Sequence, residues 1–323
     1  MPYNIIFFGT SDFSTPSLQA LITDARFSVK AVVTKPDMKV GRHQEIIEPP
    51  VKTMAKKNGI PVIQFESVKA ESSYEILKRV QDEPQGIDAY VVVSYGKIIP
   101  QRVLDLPKFG VINVHGSLLP KHRGASCVQS AIACGDKETG VTIMLMDAEM
   151  DHGPTLEQKK TEIKVDDTGG MVHDRLACIG ALLLTDTLAG FIEHKIEPTE
   201  QAHHEATYCK ILKREDGKID WSKTASEIER LVRAYDPWPG TFCYKDDKRI
   251  KILKTRISNY PLDCARDLRE QRTAISEPGD WVVDDEKLYV VCGGGSKLEI
   301  LELQPEGKRR VIAKDYLAGN KLK

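Results

Sequence analysis

The sequence predicts an α/β fold followed by a smaller β domain, and three observations carry that expectation. Short apolar runs alternate with segments of helical apolar spacing through the first half of the chain. Several of those runs lack the polar alternation of a half-exposed strand, so they read as strands buried on both faces. From Thr241 onward the pattern changes to short alternating segments broken by Gly, Pro and Asp. The expected architecture is a Rossmann-like, mostly parallel sheet with helices on both faces, then a β-barrel-like (OB-like) domain.

Tyr3 to Phe8 is an apolar run closed by Gly9; Ser14 to Ile22 carries apolar residues at helical spacing, and Phe27 to Thr34 is again strand-like. Strand, helix and strand in that order imply a right-handed crossover. Helices are expected at Pro50 to Lys57, where proline suits the first turn, and at Ser72 to Val80. Ala89 to Ser94 and Val111 to His115 read as buried strands, Ser126 to Ala133 as a helix, and Gly140 to Met146 as a strand. Gly169 to Ile192 has the apolar stripe of a long core helix. Glu193 to Glu205 is polar and contains a proline, which marks a linker. Thr224 and Glu227 have capping-box spacing ahead of a helix at Ala225 to Ala234, halted by Asp236 to Gly240. Gly293 to Gly295 reads as a β-turn between strands at Tyr289 to Val291 and Leu298 to Leu303.

With 323 residues, 41% hydrophobic and 29% charged, the chain is long enough for two domains, expected at 1–192 and 207–323 with a linker at 193–206. No apolar run approaches the roughly 20 residues of a membrane span, and Met1 to Phe8 lacks the features of a signal peptide, so a cytoplasmic protein is expected. The seven cysteines are scattered without close pairs, and neither a disulfide framework nor a metal site is suggested. Net charge is −1 overall, but from Thr207 onward 24 Lys and Arg face 20 Asp and Glu, so the C-terminal part is the better place to meet phosphates.

Asn113 and His115 stand two residues apart at the end of a strand and must project from the same face. Two donors aimed at one spot suit a developing oxyanion; a strand-end Asn and His also serve as turn-forming or core groups. Gly9, Thr10, Ser11, Asp12 and Phe13 do not supply the later glycines of a dinucleotide-binding turn, which argues against a nicotinamide cofactor.

Longer motifs add a resemblance. Ile112 to Pro120 with Arg123, Gly124, Ala125 and Gln129, then Gly140 to Met144 and Met146 to Gly153, is similar to the 10-formyltetrahydrofolate-dependent formyltransferases. Phe8 to Phe13, Pro36, Asp37, Gly41, Arg42, Tyr95, Gly96, Pro100, Ile219 to Trp221, Asp236 to Pro239 and Leu303 to Lys308 resemble the methionyl-tRNA members of that family. The resemblance implies that Asn113, His115 and Asp151 are catalytic, and that Tyr95, Gly96, Asp147 and the turn Ser117, Leu118, Leu119 and Pro120 border the folate. It further implies that Arg42 enters near the tRNA acceptor end and that Lys210, Lys213 and Arg214 meet phosphates. The expected formyl donor is 10-formyltetrahydrofolate, the acceptor methionyl initiator tRNA, and the protein a monomer without a metal.

The chain departs from the family at several positions. His43, Gln44 and Glu45 follow Arg42 where lysines are common, Cys127 replaces a proline, Lys97 an apolar residue and His152 a threonine. A second imidazole beside Asp151 implies perturbed acidity there and lower activity at mildly acidic pH. Arg123 has two readings, a contact to the anionic folate tail or a structural role. Competing functions are formyl transfer to another amine such as an amino sugar nucleotide, a formyltetrahydrofolate hydrolase or dehydrogenase module, and a non-enzymatic RNA-binding protein.

Overall fold

A computed structural model describes residues 1–40, 44–258 and 277–320. The chain divides into two compact units, one formed by Met1–Cys127, Glu138–Glu162 and Val172–Lys210, the other by Val128–Lys137, Ile163–Met171 and Ile211–Lys323.

In chain order the elements are β1 (Tyr3–Gly9), α1 (Thr15–Thr23), β2 (Phe27–Thr34), β3 (Met38–Val40), β4 (Glu45–Ile47), α2 (Pro50–Lys57), β5 (Val62–Gln64), α3 (Glu71–Gln81), β6 (Ala89–Val93), α4 (Gln101–Leu104), β7 (Val111–His115), α5 (Cys127–Cys134), β8 (Glu138–Leu145), β9 (Thr155–Glu162) and α6 (Gly169–Ile192). The first unit is built on a seven-stranded sheet of order β5-β2-β1-β6-β7-β8-β9, while β3 and β4 pair separately. β5, β2, β1, β6 and β7 run parallel, β8 runs antiparallel to β7, and β9 antiparallel to β8. Every residue of β6 and β7 is buried, as expected of strands covered on both faces. On one face Ile6, Phe8, Tyr90, Val92 and Val111 pack with Leu77, Val103 and Leu104 from α3 and α4. The opposite face meets α6, where Gly180 lies close against Val114 and Val141. Alternation along β7 therefore puts Asn113 and His115 on the face of Val111, away from α6.

The strand β9 is not foreshadowed by any pattern in the sequence. Its residues T-L-E-Q-K-K-T-E are largely exposed, with Leu156 the buried one, as suits the edge of a sheet, where charged side chains discourage further pairing. The expectation that no stretch has membrane-spanning length also needs amending. Among the described residues α6 is long and apolar enough to cross a membrane, yet half of its most apolar window is buried inside the protein.

In the second unit α7 (Ala225–Ala234) is followed by β10 (Thr241–Lys245), β11 (Lys248–Ile257), β12 (Trp281–Asp284), β13 (Lys287–Val291), β14 (Lys297–Pro305), β15 (Val311–Ile312) and α8 (Ala313–Gly319). The strands form one antiparallel sheet of order β10-β11-β14-β13-β12, with β15 beside β14. Ile228 and Val232 of α7 pack on Ile250, Ile252, Leu288, Val290, Leu298, Ile300 and Leu303. The capping box forms as expected: the Glu227 N–H donates to Thr224 Oγ1, and the Thr224 N–H donates to Glu227 Oε2 at 2.9 Å. Gly293 to Ser296 forms the expected β-turn, the Ser296 N–H donating to the Gly293 carbonyl with Gly294 and Gly295 at φ +65° and +71°. Its first glycine is dictated by space, because a Cβ at Gly293 would lie 1.8 Å from the Ser222 carbonyl oxygen.

Candidate active site

The site lies at the carboxyl ends of the parallel strands β1, β6 and β7, where open α/β sheets place their ligands. β7 delivers Asn113 and His115, which are 9% and 6% exposed. The loop between β8 and β9 delivers Asp151 with a backbone φ of +49°. That left-handed conformation is uncommon for a non-glycine residue, so the surroundings must hold it.

Asp151 divides its carboxylate between two tasks. Oδ2 accepts the Gly124 N–H at 2.7 Å. Oδ1 accepts a long hydrogen bond from Asn113 Nδ2 at 3.4 Å and faces His115 Nδ1 at 3.6 Å. The other imidazole nitrogen, His115 Nε2, is 3.1 Å from the His122 carbonyl oxygen. A carbonyl only accepts, so Nε2 must carry a proton and Nδ1 is the nitrogen left to face Asp151. Burial alone lowers the pKa of His115, but charge and hydrogen-bond interactions with Cys127, the charge of Asp151 and the His122 carbonyl outweigh it and hold the imidazole up at about 9. The site thus presents two N–H donors to one acceptor, an arrangement able to stabilise an oxyanion and pass on a proton.

The turn after β7 is pinned from behind by one hydroxyl. Thr142 Oγ1 donates to the Ser117 carbonyl at 2.7 Å and accepts from the Leu119 N–H at 3.1 Å and from Gln158 Nε2 at 2.9 Å. Gln158 Nε2 also donates to the Leu119 carbonyl at 2.8 Å, and Ser117 Oγ to the Lys121 carbonyl at 2.6 Å. Ser117 and Leu119 are consequently buried, whereas Leu118 and Pro120 keep partly exposed surfaces. Tyr95 sends its ring into the core, edge-on to Phe8, where burial pushes the phenol up to about 12 and its hydroxyl finds no hydrogen-bond partner among the described residues. Its backbone carbonyl accepts from Thr10 Oγ1 at 3.1 Å, tying the end of β6 to that of β1. Gly96 turns the chain at φ +69°, close against the Lys35 ammonium.

Asp147 and His152 pair with each other inside the same loop, Asp147 Oδ2 lying 2.6 Å from His152 Nδ1. His152 also stacks on His203, with ring centroids 4.0 Å apart and planes within 6°. Its ring is therefore engaged by Asp147 and His203 rather than by Asp151 or His115. Arg123 is 1% exposed. It donates through Nη2 to Gln201 Oε1 at 2.7 Å and to His203 Nδ1 at 2.9 Å, and through Nη1 to the Tyr208 hydroxyl at 3.1 Å. Of the two readings of Arg123, the structural one holds. Gln201 completes the array, with Nε2 donating to the carbonyls of Asp151 at 3.0 Å and Gly153 at 2.7 Å.

Sequence reasoning missed Thr142, Gln158, Gln201 and the His122 carbonyl. Lone polar residues have no spacing signature, and a carbonyl belongs to every residue alike. Of the residues expected to meet tRNA, Arg42 lies outside the described residues. Lys210 is exposed at the end of the first unit, and Lys213 and Arg214 are exposed in the second.

Comparison with known proteins gives the family of the chain. Residues 3–188 match the family model described as formyl transferase, and residues 211–321 that of the formyl transferase C-terminal domain. The chain belongs to the formyl transferase family. Among curated relatives, the methionyl-tRNA formyltransferase of Caldanaerobacter subterraneus subsp. tengcongensis is 40% identical over 319 residues, covering 98% of this chain and 97% of the relative. That of Geotalea daltonii is 41% identical, covering 98% and 96%. Among solved structures, the N-formyltransferase of Helicobacter canadensis, in complex with folinic acid and dTDP-3-aminofucose, superposes with a TM-score of 0.65 at 20% identity, covering 93% of this chain and 99% of that one. At that identity the likeness speaks for the fold alone.

Proposed function

We propose that the chain transfers the formyl group of 10-formyltetrahydrofolate to the α-amino group of methionyl initiator tRNA, using Asn113, His115 and Asp151. The observation that carries this reading is the convergence of Asn113 Nδ2 and His115 Nδ1 on Asp151 Oδ1, at 3.4 and 3.6 Å. The two relatives reported above, 40% and 41% identical over nearly the whole chain and both methionyl-tRNA formyltransferases, support the choice of acceptor.

The chemistry asks little of a base. A free α-amine has a pKa near 8, so a useful fraction is neutral near pH 7 and can attack the formyl carbon. As the new N–C bond forms, negative charge develops on the formyl oxygen, and the Asn113 amide and the protonated His115 are the donors that meet it. Asp151 receives the proton lost by the amine, directly or through water; breaking the bond from the formyl carbon to the folate nitrogen then returns a proton to that nitrogen. A flat folate fits the partly exposed Leu118 and Pro120 of the pinned turn, and the half-exposed Asp147 carboxylate and the backbone at Tyr95 and Gly96 suit its polar edge. Lys210, Lys213 and Arg214 are the exposed cations proposed for tRNA phosphates.

A formylation assay with 10-formyltetrahydrofolate, charged initiator tRNA, charged elongator tRNA and an amino sugar nucleotide tests the reading. Formylation of methionyl initiator tRNA, with a steep but measurable fall in its rate in His115→Ala and Asp151→Asn, is the expected result. Transfer to the amino sugar instead, or formate release without any acceptor, overturns it.

A further inference from the structure

We infer that Gln201 is a positioning residue for Asp151, a role that rests on the catalytic reading above. Gln201 lies in the polar segment after α6 and is 7% exposed. Both ends of its amide are committed. Nε2 donates to the Asp151 and Gly153 carbonyls, and Oε1 accepts from Arg123 Nε at 3.2 Å and Nη2 at 2.7 Å. Because Arg123 only donates, it fixes which end of the amide faces which way, and Nε2 must turn toward the loop. The Arg123 fork is held in turn by His203 and Tyr208.

What Gln201 grips is the strained part of the loop. Asp151 stands at φ +49°, and Gln201 supplies a donor to its carbonyl and to that of Gly153 on either side of the bend. The carboxylate of the same residue is oriented from the other side by the Gly124 N–H. Gly124 follows Arg123 directly, so one two-residue step of the chain anchors both grips on Asp151: Gly124 holds the side chain and Arg123, through Gln201, the backbone. Loss of the Gln201 donors leaves Asp151 free to leave the left-handed conformation. Oδ1 then swings away from Asn113 and His115, and displacements of about 1 Å can lower a rate on the order of 10²-fold.

The test compares Gln201→Met, which keeps the length but neither polar end, and Gln201→Glu, which keeps the acceptor for Arg123 but removes the donors to the loop. Steady-state constants for both substrates are measured in each, alone and combined with Asp151→Asn, on protein whose melting temperature has been checked. Expected are a kcat lowered by about 10- to 100-fold, KM values within about threefold of wild type, and a double variant little worse than Asp151→Asn alone, since Gln201 acts through Asp151. If Gln201→Met melts below the assay temperature, Gln201→Glu carries the test. Wild-type kcat in a folded Gln201 variant, or effects that multiply with that of Asp151→Asn, overturns the inference while leaving the catalytic assignment intact. Full activity in Asp151→Asn itself instead removes the catalytic reading on which the inference rests.

Discussion

The Gly124 N–H donates to Asp151 Oδ2 at 2.7 Å and so leaves Oδ1 free to meet Asn113 and His115. Gly124 can make this contact only without a side chain, because it stands at φ +112° and a Cβ there would lie 2.5 Å from the Cys209 carbonyl oxygen. Gly124→Ala is expected to lower kcat by at least about tenfold, with smaller effects on KM, because it displaces the donor rather than either substrate. Steady-state kinetics on the folded variant decide this, and a wild-type kcat would show that Asp151 is held without Gly124.

The imidazole of His115 gives a pH dependence with a definite sign. Its pKa is raised from an ordinary value of 6.5 to about 9 in the folded protein. A raised pKa means that folding favours the protonated form, so this stabilisation is complete below about pH 6.5 and is lost as pH rises through about 9. Thermal melts from pH 6 to 10 should fall more steeply in wild type than in Asp151→Asn, which lacks one of the charges that raise the imidazole. Parallel curves for the two proteins would count against the coupling.

Arg123 is buried and donates to Gln201, His203 and Tyr208, so no shorter cation can span its partners. Arg123→Lys is expected to destabilise the protein by about 2–4 kcal/mol, chiefly through acceptors left unpaired in the interior. Urea denaturation measures this, and a change below about 0.5 kcal/mol, the range of ordinary surface substitutions, would refute it.

Gly140 of β8 touches the turn that is proposed to border the folate. A Cβ there would lie 2.5 Å from Leu118 Cδ2 and 2.3 Å from the Lys159 carbonyl oxygen, so Leu118 or β9 must move. Gly140→Ala should raise KM for the formyl donor severalfold and leave KM for tRNA near wild type. The opposite split would place Leu118 on the tRNA side of the site.

His152 is taken up by Asp147 and by stacking on His203. Against the expectation drawn from its position in sequence, His152→Thr should leave the pH profile of kcat superimposable on that of wild type. Its effect should appear in KM for the formyl donor, because Asp147 loses its partner. A shifted acidic limb would show that His152 acts on Asp151 or His115 after all.

For the exposed cations, replacing Lys210, Lys213 and Arg214 together by Ala should weaken tRNA binding at low salt. The slope of log affinity against log salt should become shallower by about 1 for each phosphate that is no longer neutralised. An unchanged slope would exclude these three as phosphate ligands.

Much of the fold was legible because local pattern and burial agree. The largely apolar runs of β1, β6 and β7 announced a sheet covered on both faces, and the Thr224 and Glu227 spacing announced the start of α7. β9 escaped because an edge strand needs few buried side chains, and its charged face imitates a loop. The same-face projection of Asn113 and His115 followed from the two-residue period of a strand.

The sequence by itself determined the class of fold, the order of its elements and the motifs that place this chain in its family, because periodicity and local spacing are written along one dimension. Only the tertiary structure decided which atoms converge. It put Asp151, 36 residues beyond His115 in the chain, within 3.6 Å of Nδ1, turned the Nε2 proton of His115 to the carbonyl of His122, and brought Gln201 from a polar segment to the carbonyl of Asp151. Such contacts join residues far apart in the chain and depend on backbone direction, which no residue type encodes on its own.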